Sequence, residues 1–238
     1  MKSISRLPGQ LLEAGRAGFG VAMSTGLLAP PPPSTIVRMA GIGLRHGPAA
    51  SALLGLSAAR WPARTCLIDD LGALSYADVY DRAGRLAGGL AHRGVTRGSR
   101  VGVMGRNRSD LVVAMFATLW TDADLVLLNT DFGSAQLAGV IGAEGLTALL
   151  HDSEFDPIVA GAGLGGLQVR LDGRGPGTVE ELIEEGRRPP RRGGRHGRLV
   201  ILTSGTTGAP KGSRRDPDVL GAIAPLSSLV SAIRLRSG

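Results

Sequence analysis

From Thr65 onward, short apolar runs alternate with stretches in which apolar residues recur every three or four positions. Cys66-Leu67-Ile68, the polar turn Asp69-Asp70-Leu71-Gly72 and Ala73-Leu74 predict a small hairpin. Ser75-Tyr76-Ala77-Asp78 then matches a capping box, in which a hydroxyl and a carboxylate three positions apart satisfy each other's backbone amides. Val79, Ala83, Leu86, Ala87 and Leu90 fall on one face of the helix that follows, Asp81 and Arg85 are spaced to pair on another, and Gly94 is the stop signal.

The next block repeats one unit. Val101-Gly102-Val103-Met104 predicts a strand, and a helix opens at Ser109-Asp110 with Val112, Met115, Phe116 and Leu119 as its buried stripe. Leu125-Val126-Leu127-Leu128 predicts a second strand, Ser134 to Glu144 a second helix and Leu146 to Leu150 a third strand. Strands joined through helices need crossovers, so the expected fold class is α/β with a parallel sheet. Leu167, Val169 and Leu171 alternate with Gln168 and Arg170 like a further strand, a helix is capped at Thr178 with Glu181, and Leu199-Val200-Ile201-Leu202 predicts a buried strand.

The N-terminal region lacks this regularity. Ala17 to Val37 carry no charge, but Pro30 to Pro33 and Gly18, Gly20 and Gly26 oppose a continuous helix, so no transmembrane segment is expected. Glu13 and Arg16 interrupt the apolar stretch that a signal peptide would need. The expected division is an extension with a Pro-rich spacer over residues 1–34 and a domain over 35–238. A loose amphipathic helix over Met1 to Ala29 could rest weakly on a membrane surface, against the simpler reading of a plain extension.

Composition narrows the functional classes. Only 3% of the 238 residues are aromatic, so Ala, Val, Leu and Gly must fill the core. The net charge of +7 comes almost wholly from arginine, which supplies 25 of the 27 basic residues, Lys2 and Lys211 being the exceptions. That bias reads as overall base composition rather than as a signal for an anionic partner. A single cysteine, Cys66, excludes an internal disulfide framework and fits a reducing, cytoplasmic setting. His46, His92, His151 and His196 are scattered without metal-ligand spacing, so no metal site and no catalytic residue is assigned.

The chemistry concentrates in Thr203-Ser204-Gly205-Thr206-Thr207-Gly208-Ala209-Pro210-Lys211-Gly212, directly after the Leu199 strand. Glycines allow backbone N–H groups to converge on an anion, the hydroxyls add donors, and Lys211 adds a mobile positive charge. The spacing is not that of the common nucleotide loop, since Pro210 precedes the lysine and Gly212 follows it. Nor is it an ordinary Gly/Thr turn, because too many consecutive positions are specified.

This decamer resembles the phosphate-binding signature of the adenylate-forming (AMP-binding) superfamily. Gly98 to Thr130, with its GSRVGVMGRN and NT frame, is similar to the early sheet-and-helix segment of acyl-CoA synthetases, and actinobacterial long-chain fatty-acid CoA ligases look closest. The resemblance covers about Thr65 to Gly212. It implies the N-terminal part of that fold and an ATP-dependent ligase that activates a carboxylic acid, expected to be a fatty acid, as an acyl-adenylate before transfer to coenzyme A. ATP, Mg2+ and coenzyme A are the implied small-molecule partners. By this resemblance Thr203, Ser204, Gly205, Thr206, Thr207, Gly208 and Gly212 cradle the β- and γ-phosphates, while Lys211 offsets charge as pyrophosphate leaves. The family places its adenine contacts, magnesium-linked glutamate, acyl pocket and catalytic lysine further along, so a truncated ligase, inactive by itself, is expected. A phosphate-binding module without catalysis and a truncated gene remnant are the alternatives. Ser213 to Asp218 is charged and proline-broken where many members continue into an apolar strand.

Two other features carry less. Gly161 to Gly166 satisfies G-x-G-x-x-G, but with 37 glycines in 238 positions about one such match arises by chance. A strand follows it rather than the helix that a dinucleotide site requires, and a surface loop is the expected structure. Arg187 to Arg198 holds six arginines and His196 among glycines and prolines. No aromatic residue interleaves with them to stack bases, so a solvated linker is expected and no nucleic-acid partner.

Overall fold

The computed structural model describes residues 31–47, 50–187, 197–203 and 211–215. The chain forms two compact units, residues 1–36 with 218–238 and residues 37–217. Of the first, only Pro31–Ile36 are described, where Pro32 O accepts from the amides of Thr35 and Ile36.

Two helices precede the predicted hairpin, α1 (Pro33–His46) and α2 (Ala50–Arg60). The first begins where the proline run ends, because a proline in the first turn forfeits no intrahelical bond. Hairpin strands β1 (Thr65–Asp69) and β2 (Gly72–Ser75) pair antiparallel, with Leu71 N donating to Asp69 Oδ1 in the turn and Gly72 at φ +122°. Helix α3 (Tyr76–His92) starts with the predicted box: Ser75 Oγ accepts from Asp78 N and Asp78 Oδ2 accepts from Ser75 N. Its predicted face, Val79, Ala83, Leu86, Ala87 and Leu90, is wholly buried. Arg85 does not pair with Asp81; it donates to the carbonyl oxygens of Ile183 and Glu184.

The main sheet contains β3 (Arg100–Met104), β4 (Asp124–Leu127), β5 (Ala148–His151), β6 (Leu167–Arg170), β7 (Leu199–Thr203) and β8 (Lys211–Arg215), in the order β6-β5-β3-β4-β7-β8. Every pair is parallel except β7 with β8. Between the strands run α4 (Ser109–Trp120), α5 (Ser134–Glu144), a 3-10 turn (Ser153–Phe155) continuing into α6 (Asp156–Ala162), and α7 (Val179–Glu185). Val101, Val103, Leu125, Leu150 and Val169 pack with α3, α4 and α7 on one face of the sheet. Met104, Val126, Leu149 and Val200 pack with α5 and α6 on the other. Connections that step toward β7 thus use helices of one face and those that step toward β6 use the other, as a single crossover hand demands. Gly102 makes the second face possible, since a Cβ there would lie 2.9 Å from methyl groups of Leu128, Leu146 and Leu149.

Several expectations need correction. The buried stripe of α4 is Val113, Ala114, Ala117 and Thr118; Met115, Phe116 and Leu119 pack half-buried beside it. Helices that approach closely place small residues at the contact and leave large ones to seal its rim. Gly161-Ala162 end α6 and Gly163, at φ +70°, caps it; Gly163 to Gly166 then form an exposed loop, as expected, pinned by the buried side chain of Leu164. Ile201 is exposed, so β7 is not buried throughout: Val200 is buried and Leu202 part-buried on the α5 and α6 face, with Leu199 part-buried on the other. Of Ser213 to Asp218, read as charged and proline-broken, the first three residues nonetheless belong to a strand, β8, and a strand whose sequence includes Lys211, Arg214 and Arg215 is suited to a sheet edge. Met1 to Ala29 and nearly all of the arginine-rich segment lie outside the described residues.

Candidate functional site

Five parallel strands end along one carboxyl edge, the usual place for ligands in a sheet of this kind. Its two halves differ in chemistry.

At β3, β5 and β6 the edge is closed by a polar network. Asp152 directly follows β5 and is buried; its Oδ2 accepts from Arg106 N at 2.7 Å and its Oδ1 pairs with the Arg108 guanidinium. Arg106 makes a two-pronged pair with Glu154, at 2.9 and 2.8 Å, and lies over the ring of Phe155. That fork holds the Glu154 carboxyl below the usual carboxylate range. Ser153 donates both its amide and its hydroxyl to Asp172, each at 2.7 Å. Burial pushes Asp172 up, but those two bonds outweigh it and leave the carboxyl lowered. Every carboxylate in this network already has a cation or a donor, so it locks three loops together and leaves no pair poised for proton transfer. Among the described residues no group of three or more His, Cys, Asp or Glu could hold a metal ion.

The helix that leaves β3 is fixed from a distance. Residue 108 gives α4 no side-chain cap; Asp69 instead reaches in from the β1–β2 turn, and its Oδ2 accepts from Ser109 N at 2.8 Å and from Ser109 Oγ at 2.6 Å. The Ser109 hydroxyl, then the Ser109 and Leu71 amides, keep Asp69 below its ordinary value.

The other half of the edge belongs to β4 and β7. Leu127 is level with Ile201, and continuing that register sets Asn129 level with Thr203. Asn129 Oδ1 accepts from Asp131 N at 3.0 Å, which turns the chain toward α5, where Gln136 Oε1 accepts from Gly133 N. On the far side β7 and β8 run antiparallel, with Thr203 opposite Lys211 and Leu202 opposite Gly212. Of the residues singled out in the sequence, Thr203, Lys211 and Gly212 are therefore brought together at the base of a hairpin that closes on Ser204 to Pro210. Ser204, Gly205, Thr206, Thr207 and Gly208 lie outside the described residues. The Asp152 network and the Asp69 cap escaped sequence reasoning. The one signal for the first was a carboxylate placed just past an apolar run, at the end where strands of this fold class carry their sites.

The profile of the family described as AMP-binding enzyme matches residues 55–213. A medium/long-chain-fatty-acid–CoA/3-oxocholest-4-en-26-oate–CoA ligase of Mycobacterium tuberculosis is 32% identical over 165 residues, 63% of this chain and 30% of its own length. A feruloyl-CoA synthase of an Amycolatopsis species is 34% identical over 143 residues, 59% of this chain and 28% of its own. Among solved structures, a Rhodopseudomonas palustris protein provisionally named a long-chain-fatty-acid CoA ligase superposes with a TM-score of 0.66 at 28% identity, over 79% of this chain and 48% of that one. The chain thus spans less than a third of these two curated relatives and about half of the solved one. A profile match over more than half of the sequence, on a fold shared with that solved structure, shows that this chain belongs to the AMP-binding enzyme family.

Proposed function

We propose that this chain carries the ATP-phosphate grip of an acyl-CoA ligase. The observation that supports it best is the β7–β8 hairpin, which sets Thr203 and Lys211 opposite each other at the carboxyl edge of the sheet. Strand pairing fixes both ends of this segment, which lowers the ordering cost that its amides, hydroxyls and ammonium would pay on meeting a polyanion.

In the full reaction a substrate carboxylate oxygen attacks the α-phosphorus of ATP, the bond to pyrophosphate breaks, and an acyl-adenylate results. The thiol sulfur of coenzyme A then displaces AMP to give a thioester. Thr203, Ser204, Thr206, Thr207 and the amides of Gly205, Gly208 and Gly212 grip the β- and γ-phosphates, and Lys211 offsets the charge gathering on departing pyrophosphate. Mg2+ arrives with the nucleotide. A fatty acid is the proposed carboxylate, in a cytoplasmic setting, since two of the three named relatives carry fatty acids in their names; the feruloyl enzyme marks an aromatic acid as its competitor. The matched residues make up about half of the solved chain, so the reading assigns to them the phosphate grip alone.

Calorimetric titration of the 238-residue chain with inorganic tripolyphosphate and with ATP tests this. The two should compete for one site, and Lys211→Ala or Thr206→Val should each weaken binding about tenfold, the scale of one charge-assisted hydrogen bond. Binding untouched by either substitution, or no binding at all, would overturn it.

A further inference from the structure

At the β6 end of the sheet, the ends of β5 and β6 and helix α6 enclose a cavity of about 390 Å³, with His151, Asp156, Gln168, Arg170 and Gly177 in its wall. Strand alternation sets these positions. Leu149 packs toward α5 and α6, so His151, two residues on, shares that face, and on β6 Gln168 and Arg170 alternate with the buried Val169. The Gly177 carbonyl oxygen accepts from Arg170 N at 2.8 Å, which draws the loop before α7 against the same opening.

His151 is only 3% exposed. Its Nδ1 lies 3.0 Å from the Asp152 carbonyl oxygen and 3.6 Å from Asp156 Oδ1. Both neighbours are acceptors, so Nδ1 carries the proton and the neutral ring keeps a lone pair on Nε2. Nε2 has no hydrogen-bond partner among the described residues, yet it is not sealed in as the unpartnered Arg108 Nε and Thr118 Oγ1 are, so it opens on the cavity. A polar atom of a buried side chain left in this way calls for an occupant. The rest of the wall also offers acceptors. Gln168 donates its Nε2 to the Leu164 carbonyl oxygen at 3.1 Å, which leaves Oε1 to receive. Asp156 is held by Arg170 at 2.7 and 3.2 Å. Two further carboxylates stand close by: Asp172 acts on the Arg170 guanidinium, and Glu181 Oε2 accepts from Gly177 N at 2.8 Å. An occupant suited to these surroundings brings N–H donors and positive charge.

We propose that this cavity binds a small alkylammonium ion, whose N–H groups donate to His151 Nε2 and Gln168 Oε1 while the surrounding carboxylates meet its charge. The site stands apart from the phosphate grip, since β6 and β8 are opposite edges of the sheet, and it does not depend on that reading.

Long-range proton–nitrogen NMR of the 238-residue chain, labelled with nitrogen-15 in its four histidines, tests the proposal at pH 8, the His151 signals being assigned with His151→Gln. Without additive, Nδ1 should read as protonated and Nε2 as bare. Putrescine should shift Nε2 saturably. Tetramethylammonium carries the charge without an N–H, glycerol carries donors without the charge, and inorganic phosphate carries the opposite charge; none of the three should shift it. Gln168→Met, at an exposed position, should raise the putrescine concentration needed about tenfold, the scale of one hydrogen bond to a charged group, at an unchanged melting temperature. The proposal is overturned if putrescine leaves Nε2 unmoved or if Gln168→Met responds like the parent. It is equally overturned if tetramethylammonium, glycerol or phosphate matches putrescine, because charge alone, a neutral molecule or an anion would then suffice.

Discussion

Arg82 offers the sharpest test of how this fold is held. Its Nη2 lies 3.1 Å from Asp110 Oδ1 and also pairs with Glu180, so one guanidinium joins α3, α4 and α7. Asp110 is buried, and that burial, which Arg82 counteracts and Glu180 adds to, pushes its carboxyl above the usual range. Arg82→Met would strand Asp110 as an unpaired buried charge. Orphaning such a partner costs about 3–5 kcal/mol, and because Arg82 keeps a quarter of its side chain in water the expected loss is about 3 kcal/mol near neutral pH. The sign with pH follows from the raised carboxyl. A folded state that binds its proton more tightly than the unfolded one loses stability as pH rises from the ordinary carboxylate value through the raised one. Without the guanidinium this shift grows, so the deficit of Arg82→Met should shrink as pH falls through the raised value and be smallest at about pH 4, the ordinary aspartate value, by which point the raised carboxyl has already taken up its proton. Urea unfolding at both pH values measures it. Arg82→Met combined with Asp110→Leu should recover most of the loss, since the buried charge is then gone and only the part-exposed Glu180 is left without its partner. A deficit below about 1 kcal/mol, or one equal at both pH values, would refute the claim that Asp110 is a buried charge held by Arg82.

Two further outcomes follow from close contacts and caps. Gly89 faces α7, and a Cβ there would come within 2.4 Å of the Leu182 carbonyl oxygen, so Gly89→Ala should cost about 2 kcal/mol or more in a denaturant melt. Leu182→Ala should not rescue it, because the obstacle is backbone. Asp69 is held below its ordinary value by Ser109, so its stabilisation is present above the ordinary carboxylate range and fades as pH falls through the lowered one. Asp69→Asn should lower the melting temperature near neutral pH more than Asp70→Asn does, with the gap closing in acid.

Much of the fold was legible because its signals are local. The capping box at Ser75, the buried face of α3, helix α5 with Gly145 in its left-handed cap and the alternation through Leu167 to Leu171 all depend on neighbours within a turn or a strand. Helices α1 and α2 were not legible. The first has apolar residues on both its inner and outer faces, so its contrast, set by Arg38 and Arg45 on one flank, does not mark the side that packs, and the second is nearly all Ala, Leu, Ser and Gly. The stripe of α4 was misplaced because large side chains were taken as the core, whereas its contact is made by Ala114, Ala117 and Thr118. Arg82 with Glu180 and Asp69 with Ser109 join residues 98 and 40 positions apart, and no local pattern encodes such pairs.

The segment proposed to grip phosphate stands out in the sequence for the same reason that the network at β3 and β5 does not. Gripping an anion with backbone amides demands particular residues at consecutive positions, and that demand survives in the sequence whatever the rest of the fold does. A network such as Arg106, Arg108, Asp152, Glu154 and Asp172 can be assembled from any loops that meet at the same edge, so only the strand order reveals it. The two halves of the edge are nonetheless complementary. Carboxylates near an incoming polyphosphate would repel it, but at β3 and β5 the charges of Asp152 and Glu154 are met by Arg108 and Arg106. The loops there stay ordered through charge pairs whose fields largely cancel. A rigid edge is thereby obtained without an electrostatic barrier beside the hairpin that joins Thr203 to Lys211.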